Sequence, residues 1–292
     1  MHLISFIATN TNMATYGVWL SETQWLQVPV DFQSRYPDLK SVIAADQLSS
    51  LEAAIAKNGM PISAANARLL AVIPNPSKIL CVGLNYKSHV AETKRADSEF
   101  PSIFTRFADT LSAHGDPLAR PATTQRFDFE GELAIIIGKG GRNIAQADAW
   151  NHIAGYACFN DGTARDWQRH THQWIPGKNF PATGPLGPYM ATRDAIPDVN
   201  KLILTTRLNG SVMQHASLSD LIFTLPVIIE YISGFTPLTA GDVIATGTPG
   251  GVGDRRDPPI YMKAGDVIEV DITGLGTLRN VVTDAALAVT KQ

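Results

Sequence analysis

Cysteine is nearly absent from this chain of 292 residues: only Cys81 and Cys158 occur, each inside an apolar segment. That usage argues against a disulfide framework and for a reducing compartment. Neither cysteine has a C-x-x-C or Cys–His spacing, so a zinc ribbon or a redox pair has no ligands to start from. A basic excess is missing as well. The formal net charge is -3 and the sequence pI about 6.2, which leaves no electrostatic footprint for nucleic acid or an anionic membrane as main partner. No apolar run reaches the ~18 residues of a membrane span. Met1 to Asn12 also lacks the basic start and cleavage-like end of a signal peptide. The expectation is a cytoplasmic protein whose partner is a small acidic or neutral metabolite.

Apolar residues, by contrast, are plentiful at 45%, against 17% charged, enough for one large domain or two unequal ones. Residues 1–75 read as a small N-terminal α+β unit. Its strand candidates are His2 to Thr9, Tyr16 to Leu20 and Trp25 to Val30, followed by a helix that starts near Ser49 and stops at Gly59. The proline-rich link Ile73-Pro74-Asn75-Pro76-Ser77 then marks a boundary. Residues 76–292 are rich in short strands and glycine turns. Asn209-Gly210 predicts a hairpin after Leu202 to Leu208. An apolar helix is expected from about Leu218 to Ser233, kinked or split at Pro226.

The segment with most chemical content is Phe127-Asp128-Phe129-Glu130-Gly131-Glu132, which runs into Leu133-Ala134-Ile135-Ile136-Ile137-Gly138. Read as one strand, it places Asp128, Glu130 and Glu132 on a shared face. The apolar continuation has the composition of a strand buried on both sides, so part of this acidic face is desolvated. A buried carboxylate must then be protonated, paired with Lys or Arg, or bound to a divalent cation. Elsewhere, His89 and Glu92 are three apart, neighbours on one face of a helical turn. Such a carboxylate orients an imidazole as a general base, although the same spacing is common in surface pairs. Asp161 follows the apolar run Ile153 to Phe159 and serves either as an oxygen ligand or as a helix N-cap. Lys178, in a proline-rich stretch, either holds a substrate anion or is solvated. His170 and His172 lack a third zinc ligand at a recognisable spacing. The glycines of Thr246-Gly247-Thr248-Pro249-Gly250-Gly251-Val252-Gly253 let backbone N–H groups approach a ligand, but the run is neither a P-loop nor a dinucleotide fingerprint.

From about Lys78 onward these segments, in this order, resemble the fumarylacetoacetate hydrolase family. The likeness rests on Gly83-Leu84-Asn85-Tyr86 with His89 and Glu92, on Asp128 to Ala134, on Asn160-Asp161 to Arg165-Asp166, on Gly177-Lys178, on Asn209-Gly210 to Gln214, and on Thr246 to Gly253. The resemblance implies an α+β, mainly β fold with a mixed β-roll core, assembled as a homodimer. It further implies Mg2+ or Mn2+ held by Glu130, Glu132 and Asp161, with Asp128 in a supporting place. In the same terms His89, oriented by Glu92, is the base, Lys178 neutralises developing charge, and Arg106, Gln214 and Thr248 bind the substrate. Arg106 stands where the family has lysine, and Thr163 where it has serine; an arginine fork there implies a distal substrate end that is a carboxylate or otherwise unusual.

The implied activity is hydrolysis of a C–C bond in an acylpyruvate-like 2,4-dioxo acid, with the electrons left behind held as a pyruvate-type enolate. The same site would suit decarboxylation of an oxaloacetate-like acid or isomerisation of a 2-hydroxy-diene acid. A metal- or ligand-binding protein without turnover is the reading of a different class. His170 and His172 fall where a lid over the site would lie.

Overall fold

A computed structural model describes residues 1–93 and 98–285. Strands dominate, as the resemblance implies, and form a mixed β core with a smaller helical content. The principal path of the largest sheet runs Met60–Ser63, Gln24–Gln27, Met13–Trp19, His2–Ala8, Gly184–Thr192, Ile153–Asn160, Gly131–Ile137, Val243–Ala245, Ile79–Gly83 and Ser102–Arg106. A five-stranded sheet packs against it, in the order Ser211–Ser217, Ile203–Leu208, Val267–Ile272, Gly276–Asp284 and Pro117–Arg120.

Alternation along the strands explains why the large sheet is covered on both faces. Leu133, Ile135 and Ile137 enter one apolar cluster, together with Leu80, Val82 and Tyr156, against Leu204, Val270, Ile228 and Ile232. Ala134 and Ile136 point the other way, into a cluster with Cys81, Phe159 and Val243. That second cluster is closed by Val42, Leu51 and Ile55 from the helices Leu39–Ala44 and Leu48–Asn58. The first 75 residues therefore share a core with the rest, and the pairs His2↔Ala191 and Leu3↔Met190 join their strands to the same sheet.

Three expectations change. Val30 belongs to a helix, Val30–Arg35, and the strand before it is only Gln24–Gln27. The apolar helix is shorter than expected and spans Leu225–Phe235, because Pro226, which has no N–H to donate, sits in its first turn instead of kinking its middle. The supposed single acidic strand is two: Phe127–Asp128 pairs with Thr163–Ala164, while Gly131–Ile137 pairs with Ile153–Asn160. Phe129 and Glu130 lie between them, outside either strand. The predicted hairpin forms, with Leu208 opposite Ser211 and with Asn209 and Gly210 at φ 51 and 81. No helix among the described residues is long and apolar enough to cross a membrane.

Strand direction brings the chemistry to one place. Gly131 is opposite Asn160, so Glu130 and Asp161 emerge together. Val243–Ala245 runs antiparallel to Gly131–Ile137 and parallel to Ile79–Gly83. The glycine-rich turn after Ala245 and the helix Lys87–Thr93 thus open at that same end.

Candidate metal centre and its cleft

Glu130, Glu132 and Asp161 offer carboxylate oxygens that all lie within 4.8 Å of one another, and all three residues are buried. Backbone bonds register them: the Asp161 N–H donates to the Glu130 carbonyl at 2.8 Å, and the Glu130 N–H donates to Asn160 Oδ1 at 3.0 Å. Gly247 donates its N–H to Glu132 Oε2 at 2.8 Å. Its φ of 104 and the 2.7 Å that would separate an added Cβ from Asn85 leave room for glycine alone.

Cations surround part of this cluster. Lys178 Nζ, itself buried, lies 2.5 Å from Glu130 Oε2 and 2.5 Å from Asp161 Oδ2. Arg165 reaches Glu130 Oε1 at 2.6 Å and Asp128 Oδ2 at 2.8 Å. Burial by itself raises the pKa of Glu130, but the charges of Arg165 and Lys178 outweigh it and hold the carboxyl down at about 2. Glu132 goes the other way. Burial, then the charges of Asp161 and Glu130, push its carboxyl well above the usual range. Desolvation alone lowers Lys178, yet Asp161 and Glu130 more than compensate and its pKa is raised. A carboxylate pushed toward protonation by its acidic neighbours is the electrostatic complement of a divalent cation, and all-oxygen donors suit Mg2+ or Mn2+. The residues present fit that group.

The centre floors a small cleft of about 60 Å³, lined among others by His89, Glu130, Glu132, Lys178 and Thr248. His89 Nδ1 is 2.6 Å from Glu92 Oε1, and Glu92 Oε2 accepts the Gly251 N–H at 2.9 Å, so the pair is fastened to the glycine-rich turn. Trp174 lies against Gly83, where a Cβ would come within 2.2 Å of its ring.

Two residues expected to bind substrate stand elsewhere. Arg106 is 2% exposed and does not line the cleft. It sits behind Asp161, donating to Asp161 Oδ1 at 2.5 Å, to the Gly162 carbonyl at 3.2 Å, to Thr110 Oγ1 at 3.2 Å and to Thr183 Oγ1 at 2.6 Å. With those donors engaged inside the protein, it holds Asp161 in place. Gln214 is 1% exposed, and its amide is used on both sides: Nε2 donates to Thr248 Oγ1 and the Pro249 carbonyl, while Oε1 accepts the Gly131 N–H. It ties the glycine-rich turn to the acidic strand. Asp128 does not face the cluster. Its buried carboxylate accepts the N–H groups of Gly253 and Asp254 at 2.8 and 3.0 Å and pairs with Arg165.

Arg165, Arg169 and Arg255 line the cleft. Arg165 lies in a segment that carries the resemblance and Arg255 in the loop Asp254 to Arg256, where the sequence leads one to expect specificity, but none of the three has an individual role assigned from sequence. The available signal was a charged residue four positions after Asp161 and a second arginine soon after it. His170 and His172 are exposed, do not line the cleft and, among the described residues, join no cluster of metal-ligating side chains.

Known proteins share this arrangement at the level of sequence and fold. Oxaloacetate tautomerase fahd2, mitochondrial, of Xenopus laevis is 40% identical over 235 residues, covering 80% of this chain and 74% of that one. Oxaloacetate tautomerase YisK of Bacillus subtilis (strain 168) is 43% identical over 222 residues, covering 75% and 74%. The structure of a fumarylacetoacetate hydrolase from psychrophilic Exiguobacterium antarcticum superposes with a TM-score of 0.85 at 35% identity, covering 98% of this chain and all of that one. The family model "Fumarylacetoacetate (FAA) hydrolase C-terminal" matches residues 78–283, the stretch that supplies every residue of the cleft. On sequence, fold and site together, the chain belongs to the fumarylacetoacetate hydrolase family.

Proposed function

We propose that this protein is a divalent-cation-dependent enzyme that interconverts the keto and enol forms of an oxaloacetate-like 2-oxo acid. The observation that carries the reading is the meeting of His89, oriented by Glu92, with Glu130 and Glu132 in one small cleft, with Asp161 completing the acidic cluster behind them. The tautomerases among its relatives, at 40% and 43% identity, favour isomerisation over the C–C hydrolysis first expected from the sequence.

Glu130, Glu132 and Asp161 would hold Mg2+ or Mn2+, which when bound supplies Lewis-acid stabilisation of negative charge on the substrate's 2-oxo oxygen. His89, with Nδ1 engaged by Glu92, has Nε2 left to take a proton from C3. The C–H electron pair becomes the C2=C3 bond, and the oxygen receives the charge and then the proton. Lys178, on the cleft wall, neutralises charge as it develops. Thr248 also lines the cleft, and Gln214 and Gly131 keep its hydroxyl in a fixed direction. Arg106 acts through Asp161 and does not touch substrate.

Hydrolysis of an acylpyruvate-like acid is the second reading, supported by the hydrolase of the Exiguobacterium structure. The two separate in an assay of oxaloacetate tautomerisation and acetylpyruvate hydrolysis with Mg2+ or Mn2+, with EDTA as control. Tautomerisation should dominate, vanish with EDTA, and fall by ~10²- to 10⁴-fold in His89→Ala. Faster hydrolysis would install the second reading. Turnover without a cation would sink both, and no turnover of any 2-oxo acid would favour a binding protein.

We further propose residues 76–292 as the catalytic domain, with 1–75 as an N-terminal domain sharing its core, and a homodimer as the assembly. Family resemblance supports the dimer, and light scattering tests it.

A further inference from the structure

We infer that Arg169 and Arg255 form a rim site that recognises the second carboxylate of the oxaloacetate-like substrate. The substrate class rests on the proposed 2-oxo acid chemistry; the rim site itself does not. Arg169 follows the short helix Arg165–Gln168, and Arg255 ends the turn Gly253–Arg255; both line the cleft.

Both are gathered by one acid. Asp254, with a side chain only 2% exposed, pairs with Arg169, with Arg126 at 2.8 Å and with Arg255 at 3.8 Å, and accepts the Tyr261 hydroxyl at 2.8 Å. One carboxylate thus faces three guanidinium groups, which leaves this place with an excess of positive charge. At 3.8 Å Arg255 is beyond hydrogen-bond distance from Asp254, and its side chain remains 34% exposed. Arg169 is 41% exposed. A planar fork with free donors matches a carboxylate in geometry and charge.

The rim is also registered to the floor. The Asp254 and Gly253 N–H groups are held by Asp128, Asp128 is held by Arg165, and Arg165 reaches Glu130. A ligand with its 2-oxo acid end at the acidic floor therefore meets arginine at a set position at its other end. Arg169 is already engaged by both oxygens of Asp254, so a distal methyl or aryl ketone would leave the Arg255 fork, and the Arg169 donors that Asp254 does not use, without a carboxylate.

The test is calorimetric and needs no turnover. L-malate and 2-hydroxybutyrate differ only in a distal carboxylate replaced by methyl, and both are titrated into Mg2+-loaded protein. Malate should bind at least about tenfold more tightly. Arg169→Gln and Arg255→Gln should each shrink that ratio severalfold, with little change in 2-hydroxybutyrate affinity. Arg126→Gln, which touches Asp254 but does not line the cleft, should preserve it. A ratio that survives both cleft variants overturns the proposal, as does equal erosion by Arg126→Gln, which would mark a structural effect through Asp254. If the ratio behaves as expected while no 2-oxo acid is turned over, the proposed function fails and the rim site stands.

Discussion

The strand Gly131–Ile137 has two ends that are buried alike and held by opposite forces. At its far end Ile135, Ile136 and Ile137 are 0% exposed, and removal from water is what stabilises them, by about 1.5–3 kcal/mol for each such side chain. At the near end Glu132 is 2% exposed and Glu130, just ahead of the strand, 5%, and the same removal works against them. Glu130 is ionised only because Lys178 and Arg165 stand against it; Glu132, with a single backbone N–H from Gly247, is pushed toward protonation. One end supplies stability without chemistry. The other concentrates charge that the fold must offset, and there the proposed reactivity resides.

Substitutions separate the two ends. The largest effect is expected for Asp161→Asn, which removes one proposed ligand and leaves Arg106 and Lys178 short of their buried partner. Mg2+ binding and turnover should both be lost, and urea unfolding should show a deficit of ~3–5 kcal/mol. Retained Mg2+ affinity would break the assignment of the near end as a metal centre. Ile135→Ala comes next, with a loss of about 2–5 kcal/mol from a cavity at the far end. Its kcat, measured where the protein is still folded, should equal that of the wild type; a lower kcat would mean the ends are mechanically coupled.

Gln214→Ala should cost ~1–3 kcal/mol, because the Gly131 N–H loses a buried acceptor. With Thr248 freed, kcat/KM should fall while calorimetric Mg2+ affinity is kept. The smallest effect belongs to His170→Ala combined with His172→Ala. Both side chains are exposed and away from the cleft lining, so stability should move within about 0.5 kcal/mol and steady-state kinetics should stay unchanged. A large kinetic change would restore the lid role first expected of them.

Much of the site was legible because its members lie in short local patterns. His89 and Glu92 share a helical turn, Glu130 and Glu132 flank one glycine, and Asp161 follows an apolar strand. Direction was not legible. Alternation put Asp128 on equal terms with the glutamates, but the ladder changes partner at Phe129 and turns its carboxylate toward Gly253 and Asp254. Arg106 and Gln214 read as substrate ligands, yet each long side chain is spent on protein groups. A register shift between Thr206 and Arg207, with Thr206 opposite Gln214 and Arg207 opposite Val212, helps set where Gln214 points. Such a shift leaves no mark in composition or spacing.

What the sequence alone determined is the set of chemical parts: a run of acids ahead of an apolar strand, a paired histidine, glycines that let backbone N–H groups close on a carboxylate, and a mainly β chain with a short hairpin. Neighbours within a few residues settle these, through local periodicity and φ/ψ preference. Tertiary structure alone decided which carboxylate is ionised and which resists ionisation, which arginine reaches the cleft and which backs it, and that the first 75 residues complete the core beneath the acidic strand. Those outcomes depend on charges and surfaces brought together from distant positions, 115 residues apart for Gly247 with Glu132 and 55 for Arg106 with Asp161. Desolvation and Coulomb energy are set by distance in space, which the order of residues does not by itself contain.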